Sequence, residues 1–138
     1  GGYALGQAAL IRASDKVRNH VGMNRSAQIG ALAALQDQEW LAQVCEQITE
    51  ARGRIAAIAA DNGLTALPSA TNFVTIDCGG DGAFAKAVLT ALVDQGIFVR
   101  MPFVAPQDRC IRISCGPEAD LARFAAALPA ALERARGT

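Results

Sequence analysis

Apolar residues recur at helical spacing through the first part of the chain. Positions three and four apart are apolar over about residues 8–18, 25–35 and 38–61, so each of these segments is predicted to be a helix. The second is apolar nearly all round, which is typical of a helix buried in a core or in a subunit interface. A short strand closed by a glycine is predicted over residues 2–6, before the first helix.

The third predicted helix is the longest. Asp37 is a candidate N-cap at its start, and Gly63 can supply a left-handed exit at its end. About 24 residues at ~1.5 Å each would reach ~36 Å, more than one small domain needs, so we expect this helix to link two domains. Its apolar stripe is predicted to consist of Leu41, Val44, Cys45, Ile48, Ile55, Ile58 and Ala59.

Beyond Pro68 the pattern changes to alternating β and α segments. The predicted elements are a strand over 72–77, a helix over 81–95, strands at 97–100 and 110–114 separated by a loop, and a final helix from 117. Pro129 should kink that helix or end its regular part. Its inward-facing residues are expected to be Leu121, Phe124, Leu128 and Leu132. The predicted fold class is therefore α/β (α+β), a short and mainly antiparallel sheet with helices packed on one side, joined to the long helix.

Composition narrows the range of partners. Thirteen basic and thirteen acidic residues cancel to a formal net charge of zero, whereas a nucleic-acid-binding domain usually carries a basic excess. No run approaches the ~18 apolar residues of a membrane span. We therefore expect neither a nucleic-acid partner nor a membrane partner.

The four cysteines suggest neither zinc nor disulfide bonds. The sequence contains a single histidine, His20, and Cys110 and Cys115 do not have the spacing of a zinc site. We predict no metal site and expect the cysteines to be buried as small hydrophobic residues. Reduced thiols without a secretory signal favour the cytoplasm.

Two predicted strands each contain an arginine. Arg100 and Arg112 lie in otherwise apolar, β-branched runs, where a cation costs stability unless it reaches solvent or meets an anion. Two such residues on neighbouring strands would suit an acidic ligand. The structural alternative is an arginine that is solvated or paired with Asp77 or Glu118. From the pattern alone, an independent small ligand-binding or regulatory domain is an equally good interpretation.

Four sequence motifs occur in an order that resembles the C-terminal region of fold-type I pyridoxal-phosphate (PLP) aminotransferases, and most of all the histidinol-phosphate aminotransferase group. The motifs are Gly2-Tyr3-Ala4-Leu5-Gly6, Leu67-Pro68-Ser69-Ala70-Thr71-Asn72-Phe73-Val74, Gly96-Ile97-Phe98-Val99-Arg100 and Ile111-Arg112-Ile113-Ser114 with Gly116. Each is weak alone, but together they span nearly the whole chain. The resemblance implies the small C-terminal domain of a PLP-dependent transferase.

The resemblance also implies roles for particular residues. Arg112 would bind the α-carboxylate of an amino-acid substrate, Arg100 would meet a distal group such as a phosphate, and Asn72 would order the backbone beside the site. The implied reaction transfers an amino group between an amino acid or amino-phosphate and a 2-oxo acid, in a homodimeric enzyme. A related PLP-dependent phosphothreonine decarboxylase remains an alternative, because the loop at 101–109 and the residues after Gly116 depart from the family pattern.

The same resemblance implies that catalysis depends on residues outside this chain. The family's Schiff-base lysine stands in a Ser-Lys context, which neither Lys16 nor Lys86 has. We therefore expect no catalytic and no cofactor-binding residue here, and a numbering that begins inside a longer protein. Residues 1–37 would be a remnant of the large PLP-binding domain, and 38–138 the small domain with its linking helix.

Overall fold

A computed structural model describes residues 5–19 and 22–137. The chain divides into two compact units, Gly1–Val44 and Cys45–Thr138. His20 and most of the strand predicted over 2–6 lie outside the described residues. Leu5 and Gly6, which are described, are in neither a helix nor a strand.

The N-terminal unit contains helices α1 (Ala8–Ser14) and α2 (Arg25–Gln36) and the start of α3 (Gln38–Asp61). The Asn24 side chain caps α2 by accepting a hydrogen bond from the Ala27 N–H at 2.7 Å. Asp37 does the same for α3 through the Trp40 N–H at 3.0 Å. These caps satisfy donors that a helix start otherwise leaves unpaired, and they explain why both helices begin where the sequence predicts.

Helix α2 is not buried in the core of this chain, so the first of the two predicted surroundings is wrong and the subunit interface stays a prediction. None of its residues, all of which the structure describes, is buried, and Ile29, Leu32 and Leu35 are each more than half exposed. The first half of the stripe on α3 is similar, since Leu41 and Cys45 are exposed. The spacing of apolar residues predicted these helices correctly, but it does not determine what covers their apolar faces.

The C-terminal unit continues α3 and adds six further elements of secondary structure. In chain order they include β1 (Thr65–Ala66), β2 (Phe73–Asp77), α4 (Gly82–Asp94), a 3-10 turn (Gln107–Arg109), β3 (Cys110–Ser114) and α5 (Glu118–Arg136). The strands form an antiparallel sheet in the order β1-β2-β3, with Phe73 opposite Ser114 and Thr75 opposite Arg112. The two-residue strand β1 was not predicted.

The strand predicted over 97–100 is reduced to a single bridge, in which Arg100 pairs with Arg112. The physical reason lies at both ends of the segment. The Ile97 N–H is used to close α4, donating to the Leu92 carbonyl at 2.9 Å, and Pro102 has no N–H to continue a ladder. Of the four residues between these limits, Arg100 forms the bridge.

The core fills the space between one face of the sheet and the helices α3, α4 and α5. Its largest fully buried side chains are Ile55, Ile58, Ile76, Val88, Leu92, Ile111 and Leu128. The four inward positions predicted for α5 are all buried. This arrangement confirms the predicted fold class, an antiparallel sheet with helices on one side.

Pro129 does not end α5, so that part of the expectation is wrong, and a kink at Pro129 stays a prediction. The helix continues to Arg136. A proline inside a helix costs about 3 kcal/mol through its missing hydrogen bond and its steric clash. Buried residues on both sides of Pro129, namely Leu128, Ala131, Leu132 and Ala135, keep the segment in the core, and their burial offsets this cost.

The cysteines are free thiols, and three of the four are shielded. Cys78 and Cys110 are buried and Cys115 is half-buried, as expected, but Cys45 is exposed because it lies on the uncovered half of α3. Within residues 5–19 and 22–137, no group of three or more histidine, cysteine or acidic side chains is placed to hold a metal ion. None of the helices in these ranges is long and apolar enough to cross a membrane.

Candidate functional site

The face of the sheet that points away from the helices carries the polar side chains. Residues alternate along β2, so that Val74 and Ile76 point into the core while Thr75 and Asp77 lie on the opposite, outer face. On β3 the buried neighbours are Ile111 and Ile113, which places Arg112 on the outer face. The register confirms this assignment, because directly opposed residues share a face and Arg112 is opposite Thr75.

Arg100 lies next to Arg112 on this outer face. The Arg100 N–H donates to the Arg112 carbonyl at 3.2 Å, and the Arg112 N–H donates to the Arg100 carbonyl at 2.6 Å. Such a reciprocal pair places two residues directly opposite each other, with their side chains leaving the sheet on the same side. The two arginines predicted from the sequence are therefore neighbours across a backbone bridge.

Arg112 is half-buried and makes its close contact with an aromatic ring. Its guanidinium carbon lies 4.6 Å from the centre of the Phe73 ring, within the range of a cation–π interaction. Among the described residues, no acidic side chain lies within ion-pair distance of Arg112 or of Arg100. The donors of Arg112 are thus not occupied by an internal salt bridge.

The two acids considered as structural partners of Arg112 are paired elsewhere. Arg109 Nε lies 3.0 Å from the Asp77 Oδ1, which also accepts the Gly79 N–H at 2.8 Å. Glu118 pairs with Arg54 across 3.3 Å. Since both carboxylates already have cationic partners, neither of them neutralises Arg100 or Arg112.

Asn72 is exposed and stands just before β2. Its carbonyl accepts the Cys115 N–H at 2.9 Å, which ties the start of β2 to the end of β3. The adjacent carbonyl of Phe73 accepts hydrogen bonds from the Ser69 hydroxyl at 2.6 Å and the Thr71 hydroxyl at 3.2 Å. These bonds fix the backbone of residues 69–73, which leads into β2 beside Arg112.

The thiols near the sheet are not set up as nucleophiles. Burial, with smaller effects from Cys110 and Asp77, raises the pKa of Cys78 to about 12. Burial is also the main cause that raises the pKa of Cys110 and that of Cys115. A thiol that keeps its proton at neutral pH is a poor nucleophile and a poor metal ligand, so these cysteines contribute packing.

Sequence reasoning identified the two arginines but missed Phe73 and Arg109. Charged residues inside apolar strands were a usable signal for Arg100 and Arg112. The contact with Phe73 depends on the register of β2 against β3, and the pairing of Arg109 depends on the turn that precedes β3. Alternation along β2 could have placed Phe73 on the outer face, but not against a particular arginine.

The chain is similar in sequence to members of a known enzyme family. The sequence model of the family described as aminotransferase class I and II matches residues 1–128. The chain belongs to this family. Its relatives include histidinol-phosphate aminotransferase 1 of Hydrogenovibrio crunogenus, 34% identical over 92% of this chain and 36% of that protein. Histidinol-phosphate aminotransferase 2 of Ralstonia nicotianae is 33% identical over 97% of this chain and 36% of its own length.

Solved structures of aminotransferases have the same fold. The crystal structure of histidinol-phosphate aminotransferase from Sinorhizobium meliloti in complex with pyridoxal-5'-phosphate matches 91% of this chain and 34% of its own, with a TM-score of 0.86 and 52% identity. A putative aminotransferase from Burkholderia pseudomallei matches 91% of this chain and 38% of its own, with a TM-score of 0.73 and 26% identity. This chain thus spans about a third of the length of the proteins it matches.

Proposed function

We propose that this chain is the substrate-binding part of a PLP-dependent aminotransferase that acts on an amino acid or a histidinol-phosphate-like amino-phosphate and on a 2-oxo acid. The observation that carries the proposal is the pairing of Arg100 with Arg112 on the outer face of the sheet, with the nearby acids paired elsewhere. The family match over residues 1–128 favours this function over an independent regulatory domain.

Arg112 is assigned to the α-carboxylate of the substrate. A guanidinium group presents two parallel N–H donors that match the two oxygens of a carboxylate, and this fork fixes orientation as well as position. Arg112 is half-buried, so part of its solvation is already lost before the substrate arrives. Holding the carboxylate in one orientation places the reacting carbon atom, which is how a binding residue contributes to the rate.

Arg100 is assigned to the distal group of the substrate, which is a phosphate in a histidinol-phosphate-like compound. It is exposed and lies one strand spacing from Arg112, about 5 Å across the bridge. Two anionic groups at the ends of one small molecule could therefore each meet an arginine. Asn72 is assigned to the backbone connection between β2 and β3, with no direct substrate contact.

The described residues do not fit the role of a PLP cradle. The cofactor requires a lysine for covalent attachment. Lys86 is exposed on α4, a helix that covers the opposite face of the sheet from the arginines, and Lys16 is exposed in the N-terminal unit. We assign carboxylate and phosphate binding to this chain and no bond-making role. The lysine and the cofactor contacts would come from other parts of the enzyme.

Residues 1–37 are assigned to the large domain of the enzyme and to its homodimer interface. The apolar, exposed face of α2 supports this assignment, because a monomeric soluble protein rarely exposes several large apolar residues on one helix. On this proposal the division of the chain into a remnant of the large domain, 1–37, and the small domain, 38–138, is retained.

The test uses the PLP-loaded aminotransferase that contains this chain. Arg112→Ala should raise KM for amino acids and 2-oxo acids by about two orders of magnitude or more, because a charged, bidentate contact is lost. The absorbance of the bound cofactor should stay unchanged. Arg54→Ala, which removes an arginine paired with Glu118, is the matched control and should leave KM unchanged. An unchanged KM in Arg112→Ala would refute the carboxylate assignment.

Arg100→Ala separates the two ends of the substrate in the same assay. It should weaken binding of phosphorylated substrates by about tenfold or more and spare substrates that lack the phosphate, since only the former meet Arg100. Equal losses for both kinds of substrate would mean that Arg100 supports the sheet and does not select the substrate.

A further inference from the structure

Phe73 and Arg112 are diagonal neighbours on the outer face of the sheet. Arg112 is opposite Thr75, and Phe73 lies two residues earlier on the same face of β2. Diagonal neighbours are within reach of aromatic and long side chains, and here the guanidinium carbon lies 4.6 Å from the ring centre. The ring therefore supports the side chain that the proposed function assigns to the substrate carboxylate.

The backbone that carries the ring is held in place by side-chain hydrogen bonds. The Phe73 carbonyl accepts two hydroxyl hydrogen bonds, from Ser69 at 2.6 Å and from Thr71 at 3.2 Å. The Ser69 hydroxyl also accepts the Thr71 N–H at 3.1 Å, so the turn that leads into β2 is closed on itself. The half-buried Phe73 side chain is thus attached to a hydrogen-bonded stretch of backbone, which limits how far the ring can move.

An aromatic face is a particular kind of partner for an arginine. It attracts the cation through the electrons above the ring plane and uses none of the five N–H donors. A carboxylate partner would hold Arg112 at least as firmly, but it would occupy the donors that a substrate needs. In this structure the nearby carboxylate of Asp77 is paired with Arg109, and the contact partner of Arg112 is the ring.

We propose that Phe73 is a positioning residue, whose ring holds the guanidinium of Arg112 in the orientation that presents its free donors to the substrate carboxylate. This inference rests on the proposed function of Arg112. It predicts that substrate binding depends on the electron density of the ring at position 73, and not only on its size.

The experiment replaces Phe73 with mono-, di- and trifluorophenylalanine in the PLP-loaded enzyme that contains this chain. Fluorine withdraws electron density from the ring face while changing the ring volume little. KM for the amino-acid substrate should rise with each added fluorine, to about threefold to thirtyfold for the full series, while kcat changes less. Phe73→Leu, which has no aromatic ring, should raise KM as much as trifluorophenylalanine does. Phe73→Trp, which keeps an aromatic face, should leave KM close to the wild-type value.

Two controls separate the possible failures. The same fluorine series at Phe124, which is buried in the core on α5, should leave KM unchanged, and an equal rise there would overturn the proposal. In an Arg112→Ala background the series at position 73 should have no effect. If Arg112→Ala raises KM but the series at position 73 is flat, only the role of Phe73 is refuted. If Arg112→Ala itself changes nothing, the proposed function fails.

Discussion

Helices α2 and α4 have similar sequences and different surroundings. Both are short, rich in alanine and leucine, and capped by an acidic or amide side chain that accepts an N–H at 2.7–2.9 Å. Helix α4 buries Ala85, Val88, Ala91 and Leu92 against α5 and the sheet, whereas α2 buries no residue. The comparison shows that an apolar pattern reports that a helix needs a partner, and not whether the chain itself provides one.

The largest expected difference between the two units is in their contribution to stability. Leu128→Ala in α5 should lower the free energy of unfolding by about 2–5 kcal/mol, because Leu128 is fully buried and the change leaves a cavity. Leu32→Ala in α2 is the matched change at an exposed position and should cost no more than about 0.5 kcal/mol. Urea unfolding followed by circular dichroism measures both. Equal losses in the two variants would contradict this difference between the units, since they would require Leu32 to be buried.

A second difference appears at high pH. The unfolded Cys78 thiol ionises near its ordinary pKa of 9.0, but burial raises the pKa of the folded thiol to about 12. The folded state therefore retains a proton that the unfolded state loses, and stability falls as the pH rises from 9 towards 12. The slope due to Cys78 should be at most about 1.4 kcal/mol per pH unit.

Cysteine variants isolate this slope. Cys78→Ala should reduce the dependence of unfolding free energy on pH between 9 and 12, while Cys110 and Cys115, whose pKa values are also raised, keep part of it. Cys45→Ala should preserve the full slope because the Cys45 thiol is exposed. Unfolding curves at a series of pH values provide the measurement. An undiminished slope in Cys78→Ala would assign the effect to other groups.

The smallest expected effect on folding is at an exposed position of α2. Leu32→Glu places a charge on the exposed apolar face of α2, and it should change the free energy of unfolding by no more than about 0.5 kcal/mol. The same change should weaken self-association of the chain, because it puts a charge on an apolar surface that we expect to meet another copy or domain. Light scattering over a range of concentrations tests this. A wild-type chain that is monomeric throughout would remove the interface assignment of α2.

Local signals in the sequence predicted most of the helices and the central strands. The bounds of α3 and β3 agree with the prediction, because α3 has a strong cap at Asp37 and a glycine with positive φ at Gly63, and β3 is a β-branched run between turns. Signals that depend on distant parts of the chain were missed. The two-residue strand β1 exists only through its pairing with β2, and the length of α5 beyond Pro129 depends on the core that it packs against.

The candidate site was predictable to a similar degree. An arginine inside a strand is conspicuous in a sequence, so Arg100 and Arg112 could be named without a structure. What surrounds them could not, because the ring of Phe73 and the ion pair between Asp77 and Arg109 follow from strand register and from the shape of one turn. Residue type indicated the chemistry, and register determined which partners remained available.

The backbone bridge between Arg100 and Arg112 has a consequence for how such an enzyme can diverge during evolution. Arg112 belongs to a strand that is paired along five residues, whereas Arg100 joins the sheet through one residue pair and is followed by the loop over 101–109. On the proposed function, insertions and substitutions around Arg100 can change which distal group is accepted without moving the carboxylate site. A lineage could thus acquire new substrates by altering one loop, while the residue that every amino-acid substrate requires is inherited unchanged.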